Sequence, residues 1–175
     1  MHLITLMGPP AVGKYTIGKL VAEQLGYKLF HNHLTVDLAL SILDYGADGF
    51  FPLMADLRIR CFEAAASANV RGMVFTCAFA FPEAEPFATR IEILVKRNGG
   101  RCDLVRLTCP PEELERRVST TERQKFGKIA EPLMLRSTIE RYDLMNVLAG
   151  REALTVDTSS LSPGEASRII CDQLI

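Results

Sequence analysis

The run Gly8-Pro9-Pro10-Ala11-Val12-Gly13-Lys14 separates two glycines by four residues and follows the second with a lysine. Residue types in this pattern are suited to gripping a polyanion. Glycines let backbone N–H groups close around phosphate oxygens, and the lysine adds a mobile cation. A helix beginning directly behind the lysine turns its positive end toward the same point. The apolar Leu3-Ile4-Thr5-Leu6-Met7 in front reads as a strand, and the amphipathic stretch that begins at Lys14 reads as a helix. Strand, loop and helix together make the setting of a Walker A phosphate-binding loop. Gly8, Pro9, Pro10, Ala11, Val12, Gly13, Lys14, Tyr15 and Thr16 are therefore the candidate nucleotide contacts.

One position departs from that pattern. Ser or Thr normally follows the lysine, where its hydroxyl ligates Mg²⁺ on the terminal phosphates. Here Tyr15 stands there, and Thr16 comes one residue later. A phenol is too long to put its oxygen in the seryl position, and neighbouring helical side chains diverge by about 100°. Thr16 is expected to touch a phosphate oxygen, with Mg²⁺ held by phosphates, water and a carboxylate elsewhere. The other reading of Tyr15 is that it packs under the loop of a protein that has lost catalysis.

A second group can move protons. His31-Asn32-His33 is followed by Asp37, and an imidazole near neutral pKa can accept the proton of a hydroxyl. Alternation along an extended segment would send His31 and His33 to one side. Asp37 then orients one of them, takes the base role itself, or is an ordinary exposed helical acid. A two-histidine metal site is a further alternative, although no third ligand stands at a suitable spacing.

Arg58, Arg60 and Glu63 fall in one helical stretch. Arg60 and Glu63 share a face, so Glu63 can hold Arg60 ready for a carboxylate or phosphate, or the two form a surface ion pair. Phe79 and Phe81 follow the third strand and either wall an acceptor pocket or belong to the core.

The elements that must position these groups alternate between strand-like and helix-like runs, the pattern of a parallel sheet wrapped by helices. Strands are expected near 2–7, 27–31, 72–78, 102–108 and 153–157. Helices are expected near 14–25, 34–44, 53–69, 84–97, 111–119, 132–149 and 162–174. Gly26 stops the first helix, and Ser162-Pro163 with Glu165 opens the last. The polar stretch 119–131 carries Arg123, Lys125 and Lys128. It reads as an active-site lid or as a solvated connection between helices.

Composition narrows the function classes. The 175 residues suit a single domain, and 48% hydrophobic content supports a sizeable core. A net charge of -1 gives no global field for a long nucleic acid. Five cysteines without a Cys-x-x-Cys pair read as free thiols in a reducing cytoplasm. No window approaches the roughly 20 apolar residues of a membrane helix. Oligomeric state is not set by any of these features.

The N-terminal loop, the strand spacing, the basic stretch after the fourth strand and the run Thr155-Val156-Asp157-Thr158-Ser159 together resemble the P-loop small-molecule kinases. That group includes shikimate, gluconate and nucleoside-monophosphate kinases and chloramphenicol phosphotransferases. With Tyr27-Lys28-Leu29-Phe30-His31-Asn32-His33, the loop is more similar to an ATPase-like branch whose label carries no substrate. The resemblance implies a three-layer α/β P-loop NTPase fold: a five-stranded parallel sheet flanked by helices, nucleoside-monophosphate-kinase-like, with a short lid. It implies that Gly8, Gly13, Lys14 and Thr16 cradle the triphosphate of ATP or another nucleoside triphosphate, with Mg²⁺. It also implies that one of Arg116 and Arg117, with Arg117 preferred, lies near adenine or phosphate. Arg123 of the lid would approach the transferring phosphoryl group, and the end of the second strand would face the acceptor. Arg60-x-x-Glu63 repeats a spacing on the substrate helix of shikimate kinases. The arginine those enzymes carry after the lid is missing, since Glu131-Pro132-Leu133-Met134 stands in its place. The expected activity is phosphoryl transfer from ATP to a small hydroxyl- or phosphate-bearing metabolite. The alternative is a nucleotide-binding regulator or slow NTPase without such an acceptor.

Overall fold

The computed structural model describes residues 1–78, 84–119, 129, 131–142, 144 and 150–175. Five strands form one sheet: β1 (His2–Met7), β2 (Lys28–His31), β3 (Gly72–Cys77), β4 (Arg101–Thr108) and β5 (Leu154–Asp157). Their order across the sheet is β2-β3-β1-β4-β5, and every pairing is parallel. Seven helices are present among the described residues: α1 (Lys14–Leu25), α2 (His33–Leu40), α3 (Phe50–Ser67), α4 (Ala84–Arg97), α5 (Pro111–Val118), α6 (Pro132–Tyr142) and α7 (Pro163–Leu174).

The central strands are apolar on both faces because helices cover both. Leu3 and Met7 of β1 join Phe30, Phe62, Phe75, Phe87 and Ile91 in the core beneath α3 and α4. Ile4 and Leu6 face the other way, into a core with Ile17, Val21, Leu107, Leu114 and Ile170 beneath α1, α5 and α7. Period-two alternation thus divides one strand between two cores, as a three-layer fold requires.

The order also explains where a ligand belongs. From β1 the chain crosses to the β2 edge, whereas from β3 it crosses over β1 to reach β4. Connections leaving in opposite directions open a crevice at the carboxyl ends of the central strands. The glycine-rich loop, the His31-Asn32-His33 run and the loop after β5 all lie at that end.

The helix expected over 132–149 is described over Pro132–Tyr142, with 143 and 145–149 outside the described residues, and helix ends differ from the sequence expectation at two further places. The helix expected from 53 begins at Phe50, capped by Gly49 at φ 86°. Pro52 therefore sits inside the first turn, where its missing N–H has no intrahelical partner to lose. The helix expected over 34–44 covers only His33–Leu40. The last helix opens with a reciprocal capping box between Ser162 and Glu165, as the sequence indicated.

Candidate functional site

The phosphate loop departs from ordinary backbone geometry at three residues. Gly8 has φ 143°, Gly13 has φ 102°, and Ala11 is left-handed at φ 68°. Gly8 is doubly constrained, because a Cβ added there would lie 2.4 Å from the Leu107 carbonyl oxygen of β4. Only glycine permits both the turn and this approach. Strain concentrated in one short loop is characteristic of ligand-gripping segments. Gly13 caps α1, so the unpaired N–H groups of the first turn open onto the loop. Lys14 Nζ donates to the Gly8 and Pro9 carbonyls at 2.7 and 2.8 Å, arching back over its own loop.

Tyr15 and Thr16 are exposed on the first turn of α1. The Tyr15 ring meets the His31 imidazole edge-on with centroids 5.1 Å apart. The aromatic side chain thus contacts the end of β2, and the phosphate loop and the expected acceptor strand touch through this pair.

The shared side expected for His31 and His33 does not arise. The strand ends at His31, Asn32 is already helical at φ -49° and ψ -41°, and His33 is the first residue of α2. Alternation fails because the chain changes from period 2 to period 3.6 between the two histidines. Within α2, His33 Nδ1 lies 3.5 Å from Asp37 Oδ1, one helical turn away. His33 and Asp37 are therefore a pair, while His31 belongs with Tyr15.

Arg58 and Arg60 part in the same way, since two helical residues differ by about 200° in direction. Arg60 is on the surface with its side chain 83% exposed and donates to Glu63 at 3.2 Å. Beside it, Asp56, Ile59 and Arg90 complete a shallow groove. Arg58 turns inward and is buried. Its Nε donates to Thr35 Oγ1 at 2.9 Å and its Nη2 to Asn32 Oδ1 at 2.6 Å. The guanidinium also lies over the Phe75 and Phe87 rings, 5.7 Å from each centroid. Nη1 has a weak contact, 4.0 Å, with Cys77 Sγ. Among the described residues no carboxylate comes within ion-pair distance of this arginine.

Burial pushes the Cys77 thiol up from its ordinary range, against the pull of Arg58 and Lys14, so the sulfur is neutral. Both cations act on this one sulfur.

Arg117 is held on the other flank. It donates to Glu113 Oε1 at 2.7 Å, to Thr158 Oγ1 at 3.1 Å and to the Thr158 carbonyl at 2.6 Å. Hydrogen bonds from Arg116 and Arg117 bring the Glu113 carboxyl down to about 2. Arg116 is the more exposed of the two arginines. Thr158 itself is buried and reaches the phosphate loop through Val12. Phe79, Phe81, Arg123 and most of 119–131 lie outside the described residues.

Sequence reasoning missed Asn32, Thr35 and Thr158. Asn32 directly precedes α2. Its side chain makes no capping bond and accepts from Arg58 instead. No local sequence signal announces that exchange.

No protein-family model matches the chain, and no curated protein matches it in sequence. Solved structures do. A sugar kinase from a Janibacter species superposes with a TM-score of 0.69 at 17% identity, covering 99% of this chain and 94% of that one. Shikimate kinase from Acinetobacter baumannii, in complex with shikimate, gives 0.64 at 17% identity over 98% and 92%. A gluconokinase from Sinorhizobium meliloti gives 0.57 at 16% identity over 99% and 95%. At these identities the likeness concerns the fold, which is that of the P-loop small-molecule kinases.

Proposed function

We propose that the chain is an ATP-dependent phosphotransferase acting on a small hydroxyl- or phosphate-bearing metabolite. The observation that carries this reading is the strained loop Gly8–Lys14 at the carboxyl end of the central strand, with the α1 N-terminus and Lys14 Nζ directed to it. Loop N–H groups hold the β-phosphate, and Lys14 exchanges its bonds with the Gly8 and Pro9 carbonyls for phosphate oxygens. Thr16 and Arg117 are the further nucleotide contacts in this reading.

The donor set fits a nucleotide better than a metal held by the protein. Tyr15 occupies the position of the usual hydroxyl ligand, β3 carries no acid, and no cluster of three metal-binding side chains occurs among the described residues. Mg²⁺ would accompany the nucleotide and supply charge neutralisation on phosphates. Among this chain's residues, the His33 and Asp37 pair is placed to take the proton of an acceptor hydroxyl. In this reading Arg58 meets an anionic group of that acceptor, because a buried cation with no carboxylate partner among the described residues gains most from an incoming one. Arg60 faces away from Arg58, exposed and paired with Glu63.

The test is an ADP-release screen of hydroxyl- and phosphate-bearing metabolites. Acceptor-dependent turnover that disappears in Lys14→Ala, with the variant still folded, is the expected result. Unchanged ATP affinity and turnover in folded Lys14→Ala would sink the assignment of the loop. A second reading, a regulator or slow NTPase, is favoured by Tyr15 and the acid-free β3. ATP binding that no acceptor converts into transfer would establish it.

A further inference from the structure

Thr158 follows β5, in the loop leading to α7, and is only 2% exposed. Its N–H donates to the Thr108 carbonyl at 2.9 Å, which fixes the residue at the carboxyl end of β4. The hydroxyl has three neighbours: the Thr108 carbonyl at 3.1 Å, the Val12 carbonyl at 3.2 Å and Arg117 Nη1 at 3.1 Å. Arg117 can only donate, so it occupies an acceptor position on the hydroxyl and directs the single hydroxyl hydrogen toward the carbonyls. Thr108 already accepts from the Thr158 N–H, whereas Val12 gains its partner from the side chain alone among the described residues.

Val12 is the residue before Gly13. A trans peptide is planar, with its C=O and the following N–H pointing in opposite directions. Holding the Val12 oxygen toward β5 therefore turns the Gly13 N–H to the concave side of the loop. Gly13 at φ 102° lacks a Cβ that would resist rotation of this peptide, so the restraint has to come from outside the loop. We propose that Thr158 is a positioning residue of the phosphate loop: its buried hydroxyl, oriented by Arg117, locks the Val12–Gly13 peptide with the Gly13 N–H facing the bound phosphates. This rests on the nucleotide-binding reading of Gly8–Lys14. It also ties Arg117 and the β5 loop on one flank to the phosphates on the other.

The experiment uses inorganic tripolyphosphate, which has no base or sugar, beside adenosine, which has no phosphate. Thr158→Val preserves shape and removes the hydroxyl; the expected result is about tenfold weaker tripolyphosphate binding with adenosine affinity unchanged. Thr158→Ser, which keeps the hydroxyl, should stay within about twofold of the parent. In the parent chain, the Gly13 amide resonance should move downfield as tripolyphosphate is added, a readout that does not depend on any variant folding. A purely structural hydroxyl would instead lower Tm in Thr158→Val and leave its tripolyphosphate affinity and tripolyphosphate-induced Gly13 shift equal to those of the parent, which overturns the proposal. Equal losses for adenosine and tripolyphosphate mean collapse of the β5 end and overturn it as well. A parent that binds neither ATP nor tripolyphosphate refutes the phosphate-loop reading itself. One that binds both, with Gly13 and Thr158→Val silent, refutes only the role of Thr158.

Discussion

Replacing Arg58 by methionine separates an arginine that waits for an anion from one that braces the fold. The substitution roughly preserves volume between the Phe75 and Phe87 rings while deleting the charge. Two charge-assisted hydrogen bonds disappear, to Thr35 and Asn32, each contributing about 1.5–3 kcal/mol. Against that, a buried cation with no carboxylate partner among the described residues carries a desolvation penalty of about the same size, several kcal/mol. The opposing effects leave a net change within about 2 kcal/mol, which shifts Tm by up to about 4–8 °C in a chain of this length.

Anion response is the sharper measurement. Lys14→Ala serves as background, so that the phosphate loop does not contribute. If Arg58 meets inorganic phosphate with a Kd on the order of 1 mM, about 20 mM phosphate stabilises the fold by RT ln(1 + [L]/Kd), about 1.8 kcal/mol. Measured against chloride at equal ionic strength, Tm should rise by about 4–7 °C, and the rise should fall below about 1 °C once Arg58→Met is added. Equal phosphate responses with and without Arg58 would refute the anion-seeking role. The guanidinium would then be a brace for the first turn of α2, and the acceptor would need no anionic group.

Two other perturbations probe the scaffold. Gly8→Ala adds a Cβ 2.4 Å from the Leu107 carbonyl oxygen at φ 143°, so strain and overpacking together should cost about 3 kcal/mol and lower Tm by roughly 6–12 °C; a shift under about 2 °C would contradict the close β1-loop to β4 approach. At the opposite end of the sheet, His2 bonds Tyr27 Oη at 3.0 Å and Asp103 Oδ2 at 2.7 Å, and Arg101 and the N-terminus face it as well. Burial is the largest influence and takes His2 below its ordinary 6.5, outweighing the Asp103 hydrogen bond, so the folded chain binds fewer protons than the unfolded one in that window. Its contribution to stability is therefore present above pH 6.5 and lost as pH falls through the folded pKa. Between about pH 7 and 5, Tm of the parent should fall more than Tm of His2→Gln, and the reverse slope would mean that Asp103 dominates.

The elements of the sheet were legible because they depend on local pattern. Leu3 to Met7, the helix behind Lys14 and the Ser162 capping box each announce themselves within a few residues, and the P-loop kinase fold was what their resemblance to that family implied. The start of α3 lies three residues before the expected one, with Pro52 inside its first turn. The site was less legible, because burial of a charged residue is a tertiary fact. Arg58 and Arg60 are the same residue type two positions apart, and only helix phase, fixed by packing of Ile59 and Phe62 in the core, turns one inward and the other to solvent. Thr158 was visible only as part of a resembling run, since its partner Val12 lies at the far end of the chain.

Tyr15 gains meaning from the same kind of contact. Judged within the motif, it is a loss, since the hydroxyl that usually ligates Mg²⁺ is replaced by an oxygen on a longer arm. In the fold, its ring reaches the imidazole of His31 at the end of β2, one residue before the Asn32 that accepts from Arg58. A serine in that position is too short to make this contact. Under the proposed reading, Tyr15 in that position would exchange a metal ligand for a mechanical link: loop to β2, β2 to Asn32, Asn32 to the buried arginine. Edge-to-face pairs of this kind contribute about 0.5–1.5 kcal/mol beyond area burial, enough to favour one relative placement of two rings but too little to make the link rigid. Under the proposed nucleotide-binding reading, a loop without that hydroxyl ligand would depend more on the nucleotide's own metal and on the alignment of the acceptor side.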